Sequence, residues 1–287
     1  MTDITALSFS PSTLLGTSLF VFGLMVGSFL NVVGLRYQKQ SLGGRSFCPH
    51  CKKKLNWFEL IPLLSFVIQL GKCRGCRKKI SWQYPIVELI TGFIFLLPLY
   101  FYNYYYFPPH AYREWLALIW LLIALAMLVL SVIDWRQMII PDGINIFLAV
   151  MGFVLMFLGS TSFLRNYSEW LAPSRVEGLA GIFINHFLAG FIGTAFLGII
   201  VLLTWGRAMG MGDVKLAGAM GLILGWPDIT LALCLSFLVG GVWASILLLL
   251  RKKKLKTMVP FGPFLVTGFW LEIFFGHQIL NWYFSFI

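Results

Sequence analysis

Residues 115–134 read WLALIWLLIALAMLVLSVID: nineteen residues without a formal charge, then Asp134. As a helix, nineteen residues rise about 28 Å at 1.5 Å each, close to the hydrocarbon thickness of a bilayer, about 30 Å. The run therefore reads as a membrane helix with a carboxylate at its end. Such a placement costs on the order of a few kcal/mol and usually persists because it carries a function. A second acid in a similar setting, Asp213, closes Gly210-Met211-Gly212-Asp213 between two further apolar runs.

Composition extends this reading to the whole chain. Of 287 residues, 59% are hydrophobic and only 11% charged, with a mean hydropathy of +0.84. Too few polar groups remain to cover a soluble domain, so the expected fold is an all-α polytopic membrane bundle. Seven runs have spanning length: 14–35, 84–102, 115–133, 143–159, 181–205, 229–250 and 258–275. An eighth, 214–225, is short and Gly-rich.

Charge decides whether that short run crosses. With eight crossings and the N-terminus outside, nineteen of the 22 Lys and Arg fall in inner loops, as the positive-inside rule requires. Seven crossings would put the cluster 251–256 on the face opposite the basic loop 36–83. The expectation is therefore about eight spans. The net charge of +11 reflects this topology and contact with anionic headgroups of a lipid bilayer rather than nucleic acid. Residues 1–13 lack Lys and Arg, so no cleavable secretory signal is expected and the first span stays in the mature protein.

The inner loop 36–83 carries Cys48-Pro49-His50-Cys51 and Cys73-Arg74-Gly75-Cys76, two CxxC pairs separated by 21 residues. That spacing suits a four-thiolate zinc (Zn2+) site, and a reducing cytoplasm disfavours the alternative of disulfides. Four cysteines leave no open position for catalysis, so the zinc is expected to be structural. Cys234, alone in an apolar run, reads as packing.

Four acids lie near inner ends of apolar segments: Glu88, Asp134, Asp142 and Asp213. Asp142 follows Pro141 and precedes a helix, which reads as an N-cap. Asp134 ends a helix, where a negative charge is disfavoured, so its position requires a reason. Two carboxylates brought together share a proton and titrate as a unit, which equips them to activate water and polarise a scissile carbonyl. Intramembrane acids also serve proton-coupled transporters, and spacing alone does not separate the two readings. Glu88, near a helix start, fits either dipole complementation or a role toward substrate or methyl transfer. Asn31, beside Gly27 and Ser28, fits helix packing or substrate contact. His110, His186 and His277 have no partner in motif spacing, and 100–107 reads as an outer aromatic belt.

In order along the chain stand Gly27-Ser28-Phe29-Leu30-Asn31-Val32, the two CxxC pairs, Tyr84-Pro85-Ile86-Val87-Glu88, Asp134 through Ile140-Pro141-Asp142, Gly210 to Asp213 with Lys215, and Pro260-Phe261-Gly262-Pro263. Together they resemble the type IV prepilin peptidases, bifunctional leader peptidase and N-methyltransferase enzymes of the GxGD class of membrane aspartic proteases. The resemblance implies that Asp134 and Asp213 are the catalytic pair, cleaving on the cytoplasmic side after a glycine of the leader. It further implies methylation of the new N-terminal residue, usually phenylalanine, with S-adenosylmethionine as donor. It ties the cysteine loop and Gly71 to methyl transfer, with Glu88 as a further candidate for binding the cofactor.

The expected organisation is a first transmembrane helix (1–35), a cytoplasmic zinc-binding, methyltransferase-associated loop (36–83) and a transmembrane aspartic peptidase core (84–287). The resemblance implies type IV prepilins and the pseudopilins of type II secretion as partners, in a bacterial inner membrane with a periplasmic N-terminus. A proton-coupled transporter and a non-catalytic zinc-bearing scaffold of a pilus base are the rival readings.

Overall fold

The computed structural model describes residues 11–38, 43–99, 113–158, 179–207, 209–250 and 259–284. The expected aromatic belt at 100–107, His110, the outer Arg165 and Arg175, the basic cluster 251–256 and residues 1–10 lie outside them. Each expected apolar run falls on a helix: α1 (Pro11–Arg36), α3 (Gln83–Ile94), α4 (Arg113–Gln137), α5 (Asp142–Phe157), α6 (Leu179–Leu203), α7 (Met211–Leu224), α8 (Asp228–Leu249) and α9 (Gly262–Phe284). The loop between α1 and α3 holds a 3-10 turn (Trp57–Glu59) and a short helix α2 (Leu64–Ile68). Among the described residues β pairing is confined to two isolated bridges, Phe47 with Lys54 and Lys72 with Lys79. The fold is all-helical.

Helices α1, α4, α6, α8 and α9 are long and apolar enough to cross a membrane, while α3 and α5 are shorter apolar helices. Helix α7 has fourteen residues and rises about 21 Å, short of a bilayer core.

Two compact units divide the chain, Met1–Tyr104 and Tyr105–Ile287. In the first, α1 packs on α3 through small residues. A Cβ at Gly27 would lie 2.8 Å from the Glu88 Cα, and one at Gly23 would lie 2.8 Å from the Thr91 carbonyl. Close backbone approach of this kind is how helices associate in lipid, where burying apolar surface offers no gain. Asn31 serves the same contact, its amide donating to the carbonyls of Gly27 (3.3 Å) and Tyr84 (3.2 Å).

In the second unit α7 is the buried centre, with Leu216, Ala217 and Met220 fully enclosed. Helix α6 lies backbone to backbone against it: a Cβ at Gly193 would sit 2.7 Å from the Ala217 carbonyl. On another side Gly152 of α5 packs against Leu222. Helices α8 and α9 pair through Gly268, which seats against Ala232 and Ser236.

Asp142 does not cap α5 as expected. It is the first helical residue, Pro141 occupies the cap position with φ −66°, and no side chain caps the helix. Proline's ring fixes that φ and brings the chain into the helix one residue early, leaving the Asp142 carboxylate exposed to receive Lys215 Nζ at 2.7 Å.

Candidate active site and cysteine centre

Asp134 lies in the last turn of α4 and is 4% exposed. The helix ends just beyond it, with the Met138 N–H on the Asp134 carbonyl at 2.8 Å and Met138 at φ +54°. Its Oδ2 accepts the backbone N–H of Gly262, the first residue of α9, at 2.9 Å. This supplies the reason its position required: the positive end of α9 offsets the unfavourable C-terminus of α4.

Asp213 is the third residue of α7 and 8% exposed. Its Oδ2 accepts the Gly210 N–H at 3.2 Å, while Oδ1 is buried with no protein partner. Asp134 is near enough to act on it electrostatically. Ile140, in the turn after α4, lies against the start of α7 and the start of α9. A Cβ at Gly212 would lie 2.8 Å from the Ile140 Cβ, and one at Gly262 would lie 3.4 Å from its Cδ1 and 2.7 Å from Asp134 Oδ2. Glycine at 212 and 262 therefore admits this close packing. The arrangement presents two buried carboxylates, each anchored by one backbone N–H.

The cysteines form a separate centre. Each CxxC folds into the same knuckle. The Lys52 N–H bonds the Cys48 carbonyl (2.9 Å) and the Arg77 N–H bonds the Cys73 carbonyl (2.8 Å), and Lys52 and Arg77 share φ +57°. The four Sγ atoms lie within 4.8 Å of one another, with Cys48 to Cys76 at 3.9 Å and Cys51 to Cys73 at 4.0 Å. A tetrahedron of thiolates around zinc, with Zn–S about 2.3 Å, has edges of about 3.8 Å, so the donor set and spacing fit that ion. The backbone N–H groups of Cys76 and Gly75 pull the Cys73 thiol down to about 7, the direction that favours a thiolate, while Cys51 in the same cluster is pushed up to about 11. Cys234 is remote from this cluster in sequence and exposed on α8.

Gly71 and Glu88 hold the same loop. Gly71, at φ +65°, ends the turn after α2, its N–H on the Phe66 carbonyl (2.9 Å) and its carbonyl receiving the Ile80 N–H (2.7 Å). Glu88 is buried in α3, and its Oε2 accepts the Leu63 N–H at 2.9 Å.

These two centres align with known proteins. Residues 21–102 match the bacterial peptidase A24 N-terminal domain and residues 121–245 the type IV leader peptidase family. The prepilin leader peptidase/N-methyltransferase of Aeromonas salmonicida is 32% identical, over 93% of this chain and 92% of its own length. The chain belongs to the type IV leader peptidase family. Prepilin leader peptidase/N-methyltransferases from Bacillus subtilis (31% identical; 92% of this chain, 96% of the relative) and Pseudomonas aeruginosa (31%; 93% and 92%) extend the likeness across bacteria. No solved structure matches the chain. The leader peptidase match contains both aspartates, and the N-terminal match contains all four clustered cysteines, Gly71 and Glu88.

Sequence reading missed several members of these sites. Gly262 was visible only as part of Pro260-Phe261-Gly262-Pro263, and nothing in that motif names Asp134 as its partner. Glu59, buried in the cysteine loop, accepts the Asn56 N–H at 2.9 Å and pairs with Lys53 at 3.5 Å. His186, set aside in the sequence, is buried in α6 with Nδ1 3.0 Å from the Leu222 carbonyl, a packing role.

Proposed function

We propose that the chain is a membrane aspartic peptidase that removes the leader of type IV prepilins and pseudopilins, and that it N-methylates the new terminus. The observation that carries the peptidase half is the buried pair Asp134 and Asp213, each anchored by a backbone N–H. One carboxylate takes a proton from water while its protonated partner polarises the scissile carbonyl, and the proton returns to the departing amine. The Gly262 and Gly210 N–H groups hold one oxygen of each acid, so the remaining oxygens orient toward water and substrate. The name shared by the relatives favours this reading over a transporter using the same acids.

Zinc is the proposed ion for Cys48, Cys51, Cys73 and Cys76, where it would supply structure alone, since four thiolates complete its coordination. S-adenosylmethionine is the proposed methyl donor. Gly71 and Glu88 serve methyl transfer as positioning residues: they contact the α2 turn and Leu63, and both shape the cysteine loop. The distribution of Lys and Arg supports an inner-membrane protein with the aspartates and cysteine loop facing the cytoplasm and the N-terminus in the periplasm. Loop 36–83 would then serve methylation and the helices after it proteolysis.

Purified protein incubated with a prepilin and a labelled methyl donor tests the proposal. Mass analysis should find mature pilin shortened by its leader and carrying the label, and an intact, unlabelled substrate would contradict it.

A further inference from the structure

Helix α2 presents one apolar face outward. Leu64, Val67 and Ile68 occupy positions i, i+3 and i+4, one stripe of a helix. All three are exposed, Val67 at 66%, and Leu70 just beyond is 84% exposed. Trp57 and Trp82, on either side of the helix in sequence, are exposed as well. Phe66, on the opposite face, is used internally, with its ring 5.0 Å from that of Trp82. A soluble loop would not leave such a stripe in water.

Two observations say what covers it. First, the Leu63 N–H bonds Glu88 Oε2 at 2.9 Å, which fixes the start of α2 beside the second turn of α3. From that level onward α3 exposes Leu89, Ile90 and Phe93, an apolar face continuous in depth with the stripe. Second, residues 52–79 carry eight exposed Lys and Arg and a single acid, the buried Glu59. An apolar stripe rimmed by cations and flanked by Trp is the pattern of a helix lying in the headgroup layer of an acidic membrane.

We propose that α2 beds its Leu64, Val67 and Ile68 face in the acidic phospholipid leaflet, so that the cysteine loop rides on the membrane surface rather than standing free in the cytoplasm. Lys72, Arg77, Lys78 and Lys79 meet lipid phosphates, and the knuckles are thereby held at the height where a newly cut pilin terminus leaves the bilayer. That last purpose rests on the proposed methyl-transfer reading; the membrane contact does not.

The full chain, reconstituted in vesicles of phosphatidylethanolamine and phosphatidylglycerol, tests it. An environment-sensitive fluorescent amino acid is placed by codon suppression at position 67 and, as a separate protein, at position 78. At 67, phospholipids brominated on their acyl chains should quench several-fold more than aqueous iodide, with the order reversed at 78. Strong iodide quenching at 67 would overturn the proposal, as would silence toward both quenchers, which would mean that protein covers the face. Repeating the pair of measurements at position 68 guards against a local failure to fold at 67. Since neither reading depends on turnover, loss of pilin methylation would leave this result standing.

Discussion

The Gly262 backbone N–H and the Asp134 carboxylate, 128 residues apart in sequence, meet at 2.9 Å and join the end of α4 to the start of α9. The contact leaves no room for a side chain at 262, because a Cβ there would lie 2.7 Å from the Asp134 oxygen. Gly262→Ala is expected to displace the carboxylate and lower prepilin cleavage by about 10²-fold, the scale of a 1 Å misplacement. Methyl transfer to a pre-cleaved pilin should be unchanged. Kinetics of both half-reactions on the purified variant check this.

Gly212→Ala is expected to lower cleavage for a different reason, pressing on the Ile140 Cβ 2.8 Å away. Removing the Ile140 Cβ clears the obstacle, so the double variant Gly212→Ala/Ile140→Gly should recover much of the loss. A double-mutant cycle measures that coupling, and strict additivity would contradict the contact.

Cys73→Ser removes one ligand of the cysteine centre. Bound zinc, read by elemental analysis, should fall, and methylation should fail before proteolysis does, because Asp134 and Asp213 belong to a separate unit of the fold. Unchanged methylation in a zinc-free variant would break the link between loop and methyl transfer.

The ion pair between Lys215 and Asp142 is short but open to solvent, with side chains 51% and 65% exposed. Asp142→Ala and Lys215→Ala should therefore show a coupling of no more than about 1 kcal/mol in thermal or denaturant unfolding. A larger coupling would mean that the pair is shielded from water in the membrane-bound protein.

Much of this architecture was legible in the sequence because each signal is local. Apolar runs set the helices, CxxC spacing set the knuckles, and acids at the ends of apolar runs marked Asp134 and Asp213. What sequence did not show is long-range or conformational. The partner of Asp134 is a backbone N–H on α9, and a main-chain donor has no residue identity to read. Asp142 was misread because Pro141 shifts the helix start by a single residue. Asp228 at the head of α8 and Glu272 within α9 are buried although neither adjoins a recognisable motif; only the tertiary fold encloses them.

The central claim is that Asp134 and Asp213 act as one catalytic unit, and cleavage rates of purified Asp134→Asn, Asp213→Asn and the double variant test it most directly. Residues working as a unit are non-additive, so each single variant should fall by at least on the order of 10²–10⁴-fold and the double should be no slower than the worse single. Full-speed cleavage by either single variant, or losses that multiply in the double, would contradict the account.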